Sequence, residues 1–196
     1  MAAPPDTGDL GPSGPLSGVP VAFVGGPEGL WRIDGILAHK GESLPPAARL
    51  AVVEGDEAET ADGRWVLRAT VGTDGYANDV EQDALAARQP PLGRPEARCA
   101  ALVAVRKSAQ WWALPHEERR SVLEERSSHI AVGMEYLPAI ARRLHTSHQT
   151  GEPFDFLAWF EYAPGDQGAF DALAERLRET EEWAFVEREV DIRVTR

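Results

Sequence analysis

Cysteine is almost missing from the chain: Cys99 stands alone among 196 residues, which excludes an internal disulfide framework and CxxC zinc sites and points to a reducing compartment. Basic side chains are also scarce, 20 against 32 acidic ones, for a net charge of −12. No lysine or arginine cluster stands out, so neither nucleic acid nor an anionic membrane surface is an expected partner. No apolar run reaches the roughly 20 residues that cross a bilayer. The opening "MAAPPDTGDLGPSGPLSG" has neither a basic n-region nor an apolar h-region and does not read as a secretory signal. Its density of Pro, Gly and Ser predicts a disordered tail over residues 1–19, and cytoplasmic residence is the default expectation. A Walker P-loop, a GxGxxG after a strand, HExxH and GxSxG are all absent, which leaves phosphate-handling, nicotinamide and hydrolase chemistry without support.

What is present is one globular unit over residues 20–196, enough for one good core or two fused halves. "VPVAFV", "GLWRIDGIL", "RLAVVEG" and "RWVLRATVG" are rich in β-formers and separated by Gly, Pro and Asp turns, the pattern of an antiparallel meander. Residues 77–88 predict a helix stopped by Pro90 and Pro91. "CAALVAV" (99–105) reads as a buried strand. Pro115 opens a helix with Glu117 and Glu118 in its first turn, expected to run to about Leu137, where Pro138 interrupts it. "FDFLAWFEY" (154–162) is a strand with Phe154, Phe156, Ala158 and Phe160 on one face and Leu157 and Trp159 on the other, both covered. Phe170, Leu173 and Leu177 form the core stripe of a helix over 167–181. Val190, Ile192 and Val194 alternate with charges, as in a strand with one wet face. From Cys99 onward the order strand, helix, strand, helix, strand predicts an α+β sandwich of the ferredoxin-like kind. The half from about 20 to 98 reads as a strand-rich copy of the plan in 99–196.

Five histidines are candidates for chemistry. His39 and His116 sit among charges and read as solvated. His145 and His148 have a metal-like interval, but no third ligand follows at a convincing spacing. His129 shares a helical face with Val122, Arg126, Val132, Gly133 and Tyr136. Gly133 costs about 1 kcal/mol of helix stability against alanine, which suggests a close approach there. A flat ligand satisfies that reading, and so does a histidine hydrogen-bonded at a helix–helix contact. Arg142 lies thirteen residues beyond His129, which on one helix would put the two side chains about 140° and roughly 20 Å apart. They cannot share a face, but a turn at Pro138 would let them address a planar object from opposite sides; "ARR" reads equally well as a solvated helix end. Trp111 and Trp112 precede a helix start and suit either a core or a carboxylate-bearing ligand.

The stretch "KSAQWWALPHEERRSVLEERSSHIAVGMEYLPAIARRLHTSHQTGEPFDFLAWFEYAP", together with "LRETEEWAFVEREVDIRV" near the end, resembles the chlorite dismutase family, specifically its short, dimeric branch. The likeness is dense from about residue 89 onward and extends to the first 75 residues only as a general strand pattern. It implies a dimeric α+β barrel of two ferredoxin-like halves, the N-terminal one reduced, with haem b (iron protoporphyrin IX) in the C-terminal half. By the same resemblance, His129 falls on the proximal iron ligand and Arg142 on the distal catalytic arginine. Glu182 falls on the glutamate that bonds the proximal histidine, with Glu181 as the off-by-one alternative. Trp111, Tyr76 and Arg94 match contacts near the haem propionates, and Gln89 a distal polar residue. One departure is "HQTGEPFDF", shorter than the family's H-S-T-G-L before its D-F strand and preceded by an extra "TS". The implied activity is an oxidoreductase, a homodimer that converts chlorite to chloride and dioxygen through ferryl haem and a hypochlorite intermediate, with O–O bond formation. The alternatives are another haem protein of the superfamily, a peroxidase or a coprohaem decarboxylase, and a haem-binding or sensing module without turnover.

Overall fold

The computed structural model describes residues 18–72, 76–148 and 150–196. Residues 1–17 of the expected tail lie outside them. Its last two residues are already engaged: the Gly18 amide donates to the Val71 carbonyl and the Val71 amide to the Val19 carbonyl, each at 2.9 Å.

The strands are β1 (Pro20–Gly26), β2 (Trp31–Lys40), β3 (Arg49–Glu54), β4 (Trp65–Val71), β5 (Cys99–Lys107), β6 (Ala141–Thr146), β7 (Phe156–Tyr162) and β8 (Val186–Thr195). They close into an antiparallel barrel in the order β1-β3-β2-β8-β5-β7-β6-β4. The helices are α1 (Glu57–Thr60), α2 (Asp79–Arg88), α3 (Ala109–Ala113), α4 (His116–Arg120), α5 (His129–Glu135) and α6 (Gln167–Arg178).

The first half is not a meander. β1 is buried on both faces and pairs with β3 and β4, while β2 runs along β8 with Ile36 opposite Ile192 and Ala38 opposite Val190. β2 also meets β3 over Trp31 and Arg32, but it gives most of its length to the last strand. Each half shows the same spatial order, its fourth strand beside its first, then its third, then its second.

One core fills the barrel from both halves, with Phe23, Trp31, Leu50, Trp65, Leu102, Leu157, Trp159 and Ile192 among its members. Gly25 is required there, because an added Cβ would stand 2.1 Å from the Trp65 ring. Alternation along β5 sends Ala100, Leu102 and Ala104 into the barrel and Cys99, Ala101, Val103 and Val105 outward under α6. β7 is covered on both sides as expected, although Phe154, just before it, joins the interior cluster rather than the face of Phe160.

Three further expectations change. The charged face of β8 is covered along its middle: Glu189 and Asp191 are 1% and 2% exposed, because Arg178 of α6 reaches them at 2.7 and 3.1 Å and the Trp183 indole N–H donates to Glu189 at 2.7 Å, while Glu187 on the same face stays exposed. The helix expected from Pro115 to Leu137 is broken into α4, a π-helical turn over Ser121–Arg126, and α5. The break falls at Ser128, which takes a left-handed φ of 52°. Finally, "ARR" is not a helix end but the start of β6, so the second half has four strands rather than three.

Candidate active site

The outer face of β5, β6 and β7 and the helices α2, α5 and α6 enclose a cavity of about 520 Å³, within the range of small-molecule and cofactor sites. Val103, Val105, Ile140, Phe156, Phe160 and Leu173 give it apolar walls, and His129, Arg142, Lys107 and Glu182 are among the polar groups at its surface.

His129 opens α5, and its ring meets Glu182, which a short 3₁₀ turn over Glu181–Phe185 carries into the interior. Nδ1 of His129 lies 2.6 Å from Glu182 Oε2, so a neutral imidazole with its proton on Nδ1 donates to the carboxylate and leaves Nε2 for a ligand. The other carboxylate oxygen, Oε1, accepts from Lys107 Nζ at 2.6 Å. Burial would push the Glu182 carboxyl up, but its two close partners, His129 and Lys107, outweigh it and bring it down to about 2. Glu181, by contrast, points outward to Arg126 at 2.9 Å.

Lys107 is a functional candidate that the sequence reading missed. Its side chain is 3% exposed, and Nζ sits 4.5 Å over the Trp111 ring. A signal was available, since Lys107 continues the outward-facing row of Cys99, Ala101, Val103 and Val105, where a charge has no place without a partner.

Arg142 stands opposite Phe160 in the β6–β7 register. The chain gets there by reversing after α5, where Tyr136 and Leu137 amides bond back to Gly133 and Met134 and the Ile140 amide bonds to Tyr136. The Arg142 guanidinium rests against α5 one turn beyond His129, and a Cβ added at Gly133 would lie 3.5 Å from its Nη1. That is ordinary contact, so what faces Gly133 is an arginine side chain and the space there does not itself require glycine.

Gln89, at the C-terminal cap of α2, donates its amide to the Arg142 carbonyl. Tyr76 and Trp111 also line the cavity, their rings edge to face at 6.0 Å. Burial raises the Tyr76 hydroxyl above its ordinary value against the opposing charge of Arg119. Arg94 is not on the cavity wall; it donates to the Pro138 and Ala139 carbonyls at 3.4 and 3.0 Å and braces the turn into β6.

The other histidines serve the frame. His145 is buried and bonds the Leu157 carbonyl through Nδ1 at 2.9 Å, with desolvation lowering its pKa to about 4. His148 pairs with Asp155 at 3.0 Å and stacks on Trp112. His39 lies on β2, 3.9 Å from Asp191, and His116 stacks on Tyr76. Among the described residues no three His, Cys, Asp or Glu side chains gather to hold a metal ion.

A family model described as chlorite dismutase matches residues 60–196. The chain belongs to the chlorite dismutase family. It is similar to a crystal structure of dimeric chlorite dismutases from Nitrobacter winogradskyi at 46% identity, covering 90% of this chain and 99% of that one, with a TM-score of 0.85. A mutant chlorite dismutase from Candidatus Nitrospira defluvii shares the fold at 18% identity, with 92% of each chain covered and a TM-score of 0.66. The chlorite dismutase of Ideonella dechloratans is 36% identical over 77 residues, 39% of this chain and 25% of that relative. The chain thus matches a quarter of the length of this curated relative.

Proposed function

We propose that this chlorite dismutase family member binds haem b in the 520 Å³ cavity and converts chlorite to chloride and dioxygen. The observation that carries the reading is the buried Lys107–Glu182–His129 chain, which presents a single imidazole nitrogen to an apolar cavity. These residues fit the group: a neutral histidine with its second nitrogen bonded to a carboxylate is the donor that an iron centre requires, with its ring orientation and tautomer fixed. Bound haem would supply the redox-active iron for a conversion in which both Cl–O bonds of one chlorite break and one O–O bond forms, giving one chloride and one dioxygen.

The chain's own residues do the rest. His129 would hold the iron through Nε2, while Glu182 accepts the Nδ1 hydrogen bond and would raise the basicity of the ligand. Lys107 keeps Glu182 ionised, so that the carboxylate remains an acceptor. Arg142 holds the anionic substrate and the hypochlorite-level fragment through charge-assisted hydrogen bonds. Gln89 fixes the backbone from which Arg142 extends, and Tyr76 and Trp111 stand at the edge where haem carboxylates would be met. With a net charge of −12, attraction of the anion is local to these cations.

The two matching strand orders support a barrel built of two ferredoxin-like halves, and the likeness to the Nitrobacter protein supports a homodimer. No helix among the described residues is long and apolar enough to cross a membrane. The test is a haem titration followed by chlorite addition: a stoichiometric Soret band and oxygen release uphold the assignment, and a haem-loaded chain that releases no oxygen removes it.

A further inference from the structure

The segment between α4 and α5 is irregular in three ways at once. Ser121–Arg126 forms a π-helical turn, Ser128 sits in the left-handed region at φ 52°, and α5 begins on the next residue, His129. π-turns and left-handed non-glycine residues are costly and persist where surrounding contacts fix them, often beside functional groups.

Those contacts converge on Glu124 and Ser127. The Glu124 carbonyl accepts the Ser127 and Ser128 amides. Its carboxylate accepts the Ile130 amide at 2.8 Å and the Ala131 amide at 3.3 Å. One residue thereby collects four amides that flank His129 on both sides. Ser127, buried at 6% exposure, accepts the Glu182 backbone amide through Oγ at 2.9 Å. The same short segment therefore grips the backbone of both partners in the 2.6 Å His129–Glu182 contact.

We infer that Glu124 and Ser127 are positioning residues that set the direction of the His129 ring and its hydrogen bond to Glu182. They touch neither the cavity nor any ligand in it; they act through the backbone of α5 and of the Glu181–Phe185 turn. A carboxylate at the start of α5 suits the partial positive charge of a helix beginning, and its two oxygens hold successive amides, so α5 can neither rotate nor slide without losing one of them. The consequence for haem rests on the function proposed above, but the consequence for the His129–Glu182 pair does not.

The test therefore has a haem-free arm and a haem arm. In the haem-free protein, nitrogen-15 NMR reads the Nδ1–H of His129 bonded to Glu182. In the second arm, a Soret titration gives the haem Kd. Glu124→Ala and Ser127→Ala are expected to weaken or remove the hydrogen-bonded Nδ1–H signal and to raise the haem Kd about tenfold, the lower end of what loss of an outer hydrogen-bond partner costs a metal site. Glu124→Gln, which keeps an acceptor oxygen, recovers part of both. Glu125→Gln, whose carboxylate accepts from the Ser121 hydroxyl, changes neither. Were Glu124→Ala not to fold, Glu124→Gln and Ser127→Ala would give the same readings. A lowered melting temperature with the Nδ1–H signal and haem Kd of the wild type would overturn the inference. A wild type that binds no haem at all would strike the proposed function, and the NMR arm would still decide this one.

Discussion

Glu182 Oε2 lies 2.6 Å from His129 Nδ1 although 53 residues separate them in the chain, and the other oxygen of the same carboxylate lies 2.6 Å from Lys107. A buried cation, a buried carboxylate and a ring nitrogen are thus lined up at one wall of the cavity. Charges taken out of water are costly unless they are paired, so each member of the row depends on the next.

Removal of the cation exposes that dependence. Lys107→Met should cost about 3–5 kcal/mol at pH 7, the usual penalty for leaving a buried charge without its partner. The Glu182 carboxyl is held below its ordinary 4.5, at about 2, so the stability it contributes is present above pH 4.5 and is lost as pH falls toward 2. The gap between the variant and the wild type, measured by urea unfolding, should therefore be widest near neutrality and close in acid. A gap independent of pH would contradict the pairing.

His145 gives a second, separate pH dependence. Its folded pKa of about 4 is below the ordinary 6.5 because burial disfavours the charged ring. The unfolded chain binds that proton first, so stability is complete above pH 6.5 and declines as pH falls from there toward 4, by about 3 kcal/mol at most. His145→Asn keeps a donor for the Leu157 carbonyl and loses the titration. Its unfolding free energy should be flatter than the wild type's across that window, and an unchanged slope would place the proton elsewhere.

Gly133 tests the approach of Arg142 to α5. An alanine Cβ would make ordinary contact with the guanidinium at 3.5 Å, so Gly133→Ala should raise stability by about 0.5–1 kcal/mol through helix propensity. Gly133→Leu adds bulk where Arg142 rests and should cost about 1–3 kcal/mol. If leucine is accommodated without loss in a thermal melt, the two elements are further apart than described.

His129→Ala is expected to keep the fold and lose haem. The ring is half-buried at the cavity wall and makes one hydrogen bond described above, so circular dichroism should change little while the Soret band disappears. Full haem occupancy in this variant would mean that another residue ligates the iron.

Much of this was legible in the sequence, for reasons that particular residues show. The α6 stripe of Phe170, Leu173 and Leu177 buries as its spacing predicts, and the two-sided burial of β7 follows from apolar residues at every position of its middle. Gly133 suggested a close approach because glycine is a poor helix former, but the Arg142 guanidinium faces it at a distance that would be ordinary contact for an alanine. The spacing of His129 and Arg142 showed that they could not share a face of one helix, and the chain reversal after α5 puts Arg142 on β6 instead. What was hidden depended on contacts between distant segments. The charges of β8 looked solvated until Arg178 covered them, and Lys107 drew no reading because its partner Glu182 lies 75 residues away. The break at Ser128 was hidden for a different reason: a helical composition from Pro115 to Leu137 says nothing of a carboxylate at Glu124 that gathers the amides of the next turn.

Oxygen release bears most directly on the central claim. Chlorite is added to the haem-loaded wild type and to haem-loaded Arg142→Ala, and dissolved oxygen is followed at an electrode with chloride measured in parallel. The wild type should give one dioxygen and one chloride per chlorite, and Arg142→Ala a rate lower by about 10²–10³-fold, as for loss of one charge-stabilising group, with its Soret band intact. A haem-loaded wild type that gives no oxygen, or an arginine variant as fast as the wild type, would contradict it.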